Sequence, residues 1–359
     1  MLVNSNLSFK VKEFSSRKDV DNYKSLLKLR WKNKIYYSYE YLIYYENEHH
    51  KLKYFLLEED GIPIILMPFY IRDITSNLED NYNYFDVITP YGYGGPLFDL
   101  KYTDVLAFFW KKADEWYKNN NVISEFVRFS LTENYVGYTG ELVHTLTNIK
   151  GTIFSDQDKQ WKNFVPKVRN NYRMALKSDL TFSSICGEKI IEKDIIDFHK
   201  IYIETMERNN ADERYFFKLD YFKNLIFQNI DNFSIIFVSK EGVRISTELL
   251  ICWSDTIYAF LGGTKEEFFK YRPNDFLRVE VIKWASEKNI AFYVLGGGMV
   301  DNDGLFKNKK ALFPKDNNPI FYTGRKILNQ KVYNELTKKH ANSLEIDESS
   351  FFPKYRQFS

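Results

Sequence analysis

Residues 53–71, KYFLLEEDGIPIILMPFYI, contain two apolar runs joined by an acidic residue and Gly61. Residues 233–251, FSIIFVSKEGVRISTELLI, repeat this arrangement around Gly242. The runs are rich in β-branched and aromatic residues, and glycine allows the positive φ that a tight turn requires. Each stretch therefore predicts a β-hairpin, and the chain contains the pattern twice.

The same succession of elements follows each hairpin: a strand ending in a glycine cluster, a helix, and a last strand. In chain order these are 84–96, 105–120 and 122–131 in the first half, and 256–264, 275–289 and 290–297 in the second. This alternation predicts an α/β fold with a mixed sheet in each half. A glycine-bearing segment that leads into a helix also suits an acidic cofactor, because a helix N-terminus presents unsatisfied N–H groups.

The composition excludes several classes of protein. The 359 residues are enough for two domains with a core each, and 44% hydrophobic with 27% charged residues is a globular composition. The formal net charge of +2 gives no general attraction to DNA or a membrane, so we expect neither as a partner. Cys186 and Cys252 form no disulfide framework, and the five histidines lack ligand spacing, so we expect no metal.

Familiar catalytic motifs are absent from the sequence. The chain has no Walker A motif, no G-x-G-x-x-G, no H-E-x-x-H and no G-x-S-x-G, so most hydrolase, kinase, dehydrogenase and zinc-enzyme interpretations lack support. The N-terminus lacks the apolar segment of a signal peptide, and the longest apolar run, 62–71, is too short to span a bilayer. We therefore expect a cytoplasmic protein.

The order of the elements predicts the domain boundaries. We expect a first domain over 1–152, closed by a strand at 142–151, and a helical connector over 153–180. A second domain over 181–335 and a polar C-terminal tail over 336–359 follow. Since an internally duplicated chain already supplies two lobes, we expect a monomer.

Charged residues within apolar segments are candidates for chemistry. Asp86, Arg128 and Glu248 each interrupt a predicted strand. A buried charge without a partner costs several kcal/mol, so such residues face solvent, form pairs or line a cleft. The alternative for each is a position on the solvated face of its strand. Glu204 and Arg208 lie four residues apart on a predicted helix, and an exposed ion pair explains their spacing better than a site does.

Two glycine-bearing junctions could hold a ligand. In the second half, Lys270 and Arg272 add positive charge before the helix, and Asn274 or Asp275 can cap it; a plain turn with a cap is the alternative. In the first half, Tyr91 and Tyr93 lie among three glycines, where flexible backbone beside aromatic faces permits close approach of a ligand. A β-bulge region is the alternative there.

Six segments stand in an order that is typical of one superfamily. They are YFDVITPYGYGGPL (84–97), FVRFSLTEN (126–134), RNNYRMALKSDL (169–180), IYIETMERNNADERYFF (201–217), GGGMVDNDGLFKNKKALF (296–313) and FYTGRKILNQKVYNEL (321–336). Together they resemble the Fem-type peptidoglycan-bridge aminoacyltransferases, the double-domain branch of the GNAT acyltransferase superfamily. The resemblance covers roughly residues 35–335.

The chain departs from the family pattern at three places. The usual pyrophosphate signature is replaced by residues 271–275, and Ala311-Leu312 replace the usual Ser-Phe after Lys309, the family's lysine position. The coiled-coil insertion of several Fem ligases is also absent, which favours a donor other than aminoacyl-tRNA.

The resemblance implies tandem GNAT-like domains, each a mixed, mostly antiparallel sheet flanked by helices, and it implies N-acyl transfer. The second domain would bind the acyl-CoA donor and the first would face the acceptor. Asp86 or Glu248 would be the general base, and Tyr258 would donate to the leaving thiolate. The expected cofactor-binding residues are Gly262, Gly263, Thr264, Lys270, Arg272 and Asn274. The expected substrate-binding residues are Tyr91, Tyr93, Arg128, Glu204, Arg208, Tyr215 and Lys309.

Three functions are compatible with these expectations. The first is a CoA-dependent N-acyltransferase that transfers an acetyl or hydroxyacyl group to a nucleotide-linked amino sugar, for surface-polysaccharide or O-antigen synthesis. The second is an aminoacyl-tRNA-dependent ligase acting on a peptidoglycan precursor, for which a basic face around 159–177 would bind the tRNA. The third is a binding module without catalysis. The near-neutral charge and the missing insertion favour the first.

Overall fold

The computed structural model describes residues 6–32, 34–74, 83–341 and 351–357. Within these ranges the chain forms fourteen strands and ten α-helices, divided between unit 1, residues 1–145 and 320–359, and unit 2, residues 146–319. The strands are β1 (Leu7–Glu13), β2 (His50–Glu59), β3 (Ile62–Asp73), β4 (Phe85–Ile88), β5 (Leu97–Phe98), β6 (Val122–Arg128), β7 (Glu141–Thr147), β8 (Ile149–Thr152), β9 (Leu180–Cys186), β10 (Phe233–Lys240), β11 (Val243–Trp253), β12 (Thr256–Thr264), β13 (Phe292–Gly296) and β14 (Ile320–Ile327). The helices are α1 (Arg17–Arg30), α2 (Tyr39–Leu42), α3 (Leu106–Asn119), α4 (Gln157–Asn163), α5 (Pro166–Ala175), α6 (Glu192–Arg208), α7 (Leu219–Gln228), α8 (Pro273–Glu287), α9 (Gly304–Lys310) and α10 (Gln330–Ala341).

Both predicted hairpins are present. Asp60 and Gly61 join β2 to β3 with φ values of 49° and 80°, and Glu241 and Gly242 join β10 to β11 with φ values of 52° and 78°. Two consecutive positive φ values are the geometry of a type I′ turn, whose twist matches that of the flanking strands. The turn residues therefore determine both the position and the type of the connection.

Each unit is built on one mixed, largely antiparallel sheet. The strand order is β1-β2-β3-β4-β6-β14-β7 in unit 1, with β5 beside β3, and β8-β13-β12-β11-β10-β9 in unit 2. Parallel pairing joins β4 to β6 and β12 to β13. Helix α3 packs its aromatic face on the first sheet, and α5 and α8 share the core of the second. The expected α/β fold with mixed sheets is confirmed.

Each sheet recruits a strand from a distant part of the sequence. β14, near the C-terminus, pairs with β6, and β8, which lies between the two halves, pairs with β13. The segment 142–151 is consequently two strands in two sheets, and the expected single closing strand is wrong. The expected boundaries at 152, 180 and 335 differ from the observed division at 145 and 319 for the same reason. The expected connector 153–180 folds as α4 and α5 within unit 2.

The last described residues are anchored to unit 1. Tyr355 is buried, and its hydroxyl donates to the Asp86 carboxylate at 3.0 Å. The Nε of Arg356 donates to the same carboxylate at 2.9 Å. The expected polar tail is thus packed at 351–357, and residues 342–350 lie outside the described residues.

The packing of β8 gives a test of the strand assignment. A Cβ at Gly151 would overlap the ring of Phe313. We expect Gly151→Ala to lower the free energy of unfolding by about 1–3 kcal/mol, the usual cost of overpacking a filled core. Denaturant titration followed by circular dichroism measures the change. Phe313→Leu in the same chain should recover part of the loss, because residues in contact couple energetically.

The matched control is Gly304→Ala, since no atom lies within 4 Å of a Cβ at that position. Equal stabilities for Gly151→Ala, Gly304→Ala and the unmodified chain would contradict the placement of β8 against Phe313.

Candidate functional site

Strands β12 and β13 of unit 2 separate and leave a pocket beside them. Their parallel pairing joins Thr256–Tyr258 to Phe292–Val294 and ends there, whereas β12 continues beside β11 as far as Thr264. The pocket, with a volume of about 450 Å³, opens at this divergence. Its walls include Ala259, Gly262, Gly263, Thr264, Asn274, Leu277 and Leu295, together with the ionisable residues described below.

The two glycines of this wall lie inside β12, at the end of the strand that the sequence predicts over 256–264. A Cβ at Gly262 would approach the Thr247 carbonyl oxygen to 2.6 Å, and one at Gly263 would approach the Ile201 carbonyl oxygen to 2.7 Å. The absence of a side chain at Gly263 therefore lets α6 pack directly on the strand, and its absence at Gly262 leaves room for the neighbouring backbone of β11. Thr205 of α6 accepts a hydrogen bond from the Thr264 N–H at 3.1 Å, which fixes this contact.

A buried ionic network forms the deep wall of the pocket. Glu248 of β11 is 4% exposed, and its Oε1 lies 2.6 Å from a guanidinium nitrogen of Arg278, which belongs to α8. Its Oε2 accepts a hydrogen bond from the hydroxyl of Tyr293 on β13. Arg278 also donates to that hydroxyl at 2.6 Å. Burial, together with the neighbouring carboxylate, raises the pKa of Tyr293 well above its usual value, so the phenol stays protonated.

Lys309 brings an amine to the same pocket. It lies in α9, whose N-cap, Asp303, accepts a hydrogen bond from the Phe306 N–H at 2.7 Å. The Lys309 Nζ donates to the Gly297 carbonyl oxygen at 2.6 Å. Burial, and after it the positive charge of Arg278, lowers the pKa of Lys309 to about 8. The amine is therefore protonated at neutral pH and titrates just above it.

Arg208 of α6 lies on another side of the pocket. Its guanidinium donates to the Thr264 carbonyl oxygen at 2.8 Å and stands 4.9 Å from the centre of the Phe269 ring. The pocket lining thus contains three cations, Arg208, Arg278 and Lys309, and one carboxylate, Glu248. This balance favours a ligand that is anionic or that develops negative charge during a reaction.

The junction before α8 is poorly suited to a diphosphate. The helix begins at Pro273, not at Asp275, and proline supplies no N–H. Asp275 lies in the first turn and accepts a hydrogen bond from Asn171 at 3.0 Å, which adds negative charge where an anion would bind. Of the residues expected at this junction, Asn274 lines the pocket, whereas Lys270 and Arg272 are not in its lining.

Asp86 lies in unit 1, and its contacts are those of a buried anchor. The carboxylate is fully buried, with one oxygen 2.5 Å from the Nε of Arg72 and the other 2.9 Å from the Nε of Arg356. Tyr355 donates to it as well. Both carboxylate oxygens are thus occupied by partners within the fold, which argues against the predicted role of Asp86 as general base.

Three predicted acceptor-side residues also lie in unit 1. Tyr91 is half-exposed, and Tyr93 packs on Phe321 with the ring centres 5.8 Å apart. Arg128, at the end of β6, donates to the Thr89 carbonyl oxygen at 3.1 Å. Their predicted binding roles remain predictions.

The remaining predicted residues lie in unit 2 outside the lining of this pocket. Glu204 is exposed on α6, and Arg208 is turned to Thr264, so the alternative of a helical ion pair is not observed between these two described residues. The Tyr215 carbonyl oxygen accepts a hydrogen bond from Tyr202. Burial, and after it Asp255, raises the pKa of Tyr258 to about 12, which makes its phenol a weak acid for a leaving thiolate.

Sequence reasoning missed Arg278 and Tyr293. The signal that identified Glu248, a charge within an apolar segment, is also present for Arg278, which follows the buried Phe276 and Leu277. A buried carboxylate and a buried guanidinium in one unit imply each other, so the pair could have been inferred. Tyr293 carries no comparable sequence signal.

Comparison with known families identifies the domain that holds the pocket. Residues 167–303 match the acetyltransferase (GNAT) domain family. No curated protein sequence matches the chain. The matched range contains most of unit 2, including β12, β13 and the network around Glu248. Residues 167–303 therefore form a GNAT-type acyltransferase domain.

Solved structures resemble the whole chain. FemX superposes with a TM-score of 0.62 at 14% identity, over 91% of this chain and 99% of that chain. The C-terminal domain of a putative lysylphosphatidylglycerol synthetase from Agrobacterium fabrum gives 0.57 at 11% identity, over 88% and 93%. L-PGS from Bacillus licheniformis gives 0.57 at 14% identity, over 89% and 95%. At these identities the likeness shows the fold, and it confirms the predicted resemblance to the Fem-type, double-domain GNAT proteins.

Two further findings concern membranes and metal ions. In the part of the chain that the structure describes, every helix is too short or too polar to cross a bilayer. The described residues also contain no group of three or more His, Cys, Asp or Glu side chains that could hold a metal ion.

Replacing Asp86 separates an anchoring role from a catalytic one. Asp86→Asn would leave Arg72 and Arg356 without their carboxylate, and breaking a buried ion pair typically costs about 3–5 kcal/mol. We expect a loss of this size in the free energy of unfolding by denaturant titration. Asp104→Asn, at an exposed position of unit 1, is the control and should change stability by less than about 0.5 kcal/mol. Unchanged stability of Asp86→Asn with lost transfer activity would restore the general-base interpretation.

Proposed function

We propose that this chain is an aminoacyltransferase, which moves an aminoacyl group from an ester donor to the amine of a cell-envelope precursor. Transfer takes place in the pocket of unit 2. The observation that carries the proposal is the pocket at the divergence of β12 and β13, where the Lys309 amine stands beside the buried pair of Glu248 and Arg278. This arrangement combines a strand edge that can hold a donor with a cation that can support a developing oxyanion.

The reaction requires few protein groups. The acceptor nitrogen attacks the ester carbonyl, a C–N bond forms and the C–O bond breaks. The proton lost by the nitrogen passes to the oxygen of the departing alcohol. The carbonyl oxygen carries negative charge in the tetrahedral intermediate, and a fixed donor stabilises that charge. Protonated Lys309 is our candidate for this donor.

Glu248 contributes by holding other residues in place. One of its carboxylate oxygens pairs with Arg278, and the other accepts from Tyr293. We therefore assign it to positioning α8 and β13 around the pocket. The expectation that Glu248 is the general base remains a prediction.

The first turn of α8 favours an ester donor over a CoA thioester. CoA carries a diphosphate, which helix N-termini bind through their N–H groups. Here Pro273 lacks that group, and Asp275 opposes an anion at the same place. A donor without a diphosphate avoids this conflict.

A basic segment supports tRNA as the carrier of that ester. Residues 159–177 contain six Lys and Arg residues and no acidic residue, although the whole chain is nearly neutral. They lie on α4, α5 and the adjoining turns, and Lys159, Lys162, Lys167, Arg173 and Lys177 are exposed. A local strip of exposed cations is the electrostatic footprint expected for a nucleic-acid backbone.

The names of the structural neighbours point in the same direction. One of them is named as a putative lysylphosphatidylglycerol synthetase, an enzyme whose product carries an aminoacyl group, and two others are named L-PGS and FemX. The resemblance to Fem-type proteins in the sequence likewise implies aminoacyl transfer. We infer a peptidoglycan precursor as the acceptor, with a phospholipid such as phosphatidylglycerol as the alternative acceptor class.

One observation favours a second candidate, the CoA-dependent N-acylation of a nucleotide-linked amino sugar. The pairing of β12 with β13 ends at Tyr258. From Ala259 to Thr264, the edge of β12 on that side borders the pocket. The peptide edge of a strand suits the amide-bearing pantetheine arm of CoA, as it suits an added strand. The two candidates therefore share the pocket and differ in the donor.

A donor panel distinguishes them. The purified full-length chain is offered aminoacyl-tRNA labelled in the amino acid, with a nucleotide-linked muropeptide or with phosphatidylglycerol vesicles. In parallel it is offered acetyl-CoA and 3-hydroxyacyl-CoA with nucleotide-linked amino sugars. We expect a muropeptide heavier by one residue in the mass spectrum and no amine-dependent release of CoA.

Release of CoA with an acylated sugar nucleotide would replace the proposal by the second candidate. If the product is lysyl- or alanyl-phosphatidylglycerol, the proposed donor stands and the proposed acceptor is replaced by the lipid. If no donor gives a product and a muropeptide raises the thermal stability of the chain, a binding module without catalysis is favoured.

The Lys309 amine gives a test by pH. Removal of one oxyanion donor costs about 100- to 1,000-fold in rate, and we expect a loss of this size for Lys309→Met. Because the protonated amine is the active form and its pKa is about 8, transfer by the unmodified chain should fall as pH rises through that value. Lys309→Arg stays protonated and should lose this alkaline decline while keeping part of the activity.

Lys307→Met is the control, since Lys307 is exposed on the same helix; its pH–rate profile should match that of the unmodified chain. An alkaline decline that persists in Lys309→Arg would assign the titrating group elsewhere.

A further inference from the structure

A second pocket, with a volume of about 490 Å³, lies in unit 1 at the start of β4, whereas the loop 89–96 follows the end of that strand. The lining takes Glu13 from the end of β1, Lys51 from the start of β2, Ile71 from near the end of β3, Phe85 from the start of β4 and Trp116 from the last turn of α3. Five elements thus meet around one cavity at one end of the sheet.

The pocket exists because α3 ends before it covers the whole face of the sheet. Trp116, in the last turn of the helix, packs on Phe55 and Phe69 with ring centres 5.4 and 5.6 Å apart. Since side chains alternate along a strand, Lys53 and Lys51 continue the face of Phe55 toward the start of β2. That end of the face lies beyond the helix and forms the floor of the pocket.

One wall of this pocket is apolar and largely aromatic. Phe14, Ile71, Phe85 and Trp116 contribute to it, and all four are half-buried. No described residue accepts a hydrogen bond from the indole N–H of Trp116. A tryptophan N–H normally has an acceptor when the ring is covered. A ligand that covers this wall therefore has to bring an acceptor for the indole as well as an apolar surface.

The charges of the lining cancel. Lys53 pairs with Glu13, with the nitrogen 2.6 Å from a carboxylate oxygen. The other two charged residues of the lining are Lys51 and Glu46, one of each sign. Two lysines and two glutamates give the pocket no net attraction for a cation or for an anion. The charge balance therefore favours a neutral ligand.

Several polar groups of the lining keep hydrogen-bonding capacity for a ligand. Glu46 uses one carboxylate oxygen to accept from the Leu52 N–H at 3.3 Å, and Asn120 donates its amide N–H to the Trp116 carbonyl oxygen at 2.8 Å. The second oxygen of Glu46, the amide oxygen of Asn120 and the ammonium of Lys51 have no partner among the described residues. Covering such groups without replacing their water is unfavourable, so the ligand has to supply both donors and acceptors.

We propose that this pocket binds a neutral sugar unit of a glycan, with one face of the pyranose on Trp116. The C–H face of a pyranose is apolar and covers an aromatic ring, and each sugar hydroxyl both donates and accepts. A purely aromatic ligand would leave Lys51 and Glu46 without partners, and a charged ligand would meet a charge of its own sign. All lining residues belong to unit 1, so the site is distinct from the pocket of unit 2.

A panel of small ligands tests the chemistry of this site. Glucose and N-acetylglucosamine are neutral, glucosamine adds a cation and glucuronate an anion to the same ring, and benzyl alcohol is aromatic with a single hydroxyl. Calorimetric titration of the full-length chain with each compound measures binding without any transfer. Failure of this test therefore leaves the proposed function of unit 2 standing, and failure of the transfer test leaves this site standing.

We expect at least one neutral sugar to bind about tenfold or more tightly than the two charged sugars and the alcohol, because only a neutral sugar satisfies the lining without a like charge. Preference for glucose or for N-acetylglucosamine identifies the ring, and each supports the site. Tightest binding by a charged sugar or by benzyl alcohol, equal binding of all five compounds, or no binding of any, would overturn it.

Two variants locate the bound sugar. Trp116→Phe keeps a ring against Phe55 and Phe69 but removes the indole N–H, and Lys51→Met removes a donor at an exposed position. Each should weaken binding of the neutral sugar about three- to tenfold, the size of one hydrogen bond. Lys118→Met is the control, because Lys118 is exposed on α3 outside the pocket lining. Unchanged binding in both Trp116→Phe and Lys51→Met would place the sugar elsewhere and refute the site.

Discussion

The ion pair between Glu248 and Arg278 is the constraint on which unit 2 depends. Glu248 belongs to β11, Arg278 to α8, and the shared partner Tyr293 to β13. The three elements meet where β13 separates from β12. The network therefore holds β13 at a fixed distance from β11 on the pocket side. A buried pair of this kind adds little net stability, but either member is costly to leave alone. The network therefore determines the shape of the pocket more than the stability of the unit.

The two halves of the chain use the duplicated pattern in different ways. In unit 1, β4 pairs in parallel with β6, as β12 pairs with β13 in unit 2. After that pairing, β12 continues as a strand, whereas the chain of unit 1 turns into the loop of Tyr91, which Asn134 fixes. One half thus presents a strand edge beside a pocket, and the other presents the tyrosine side chains of a loop. Duplication preserved the sheet and left the strand ends free to diverge in chemistry.

The sequence predicted those features that depend on neighbouring residues. The hairpins, α3 and α8 follow from turn residues and periodicity over a few positions, and their positions agree with the structure within a few residues. Strand β8 and strand β14 were assigned to the wrong units, because pairing partners are chosen by packing between segments far apart in sequence. The strand over 256–264 is predicted with its observed bounds, whereas the reason for Gly262 and Gly263 within it is not. Glycine is required at 263 because α6 packs directly on the strand there, and at 262 because the backbone of β11 lies close to it.

The same ion pair also links the shape of the pocket to its chemistry. Arg278 lowers the pKa of Lys309, and Glu248 acts in the opposite direction. As long as the two are paired, their effects on the amine partly cancel, and burial remains the main cause of the lowered pKa. A displacement of Glu248 would leave the charge of Arg278 uncompensated and drive Lys309 further toward its neutral form. A neutral amine cannot stabilise an oxyanion as a cation does. The carboxylate can therefore support the transfer step without touching the reacting atoms, because it keeps the neighbouring amine protonated at neutral pH.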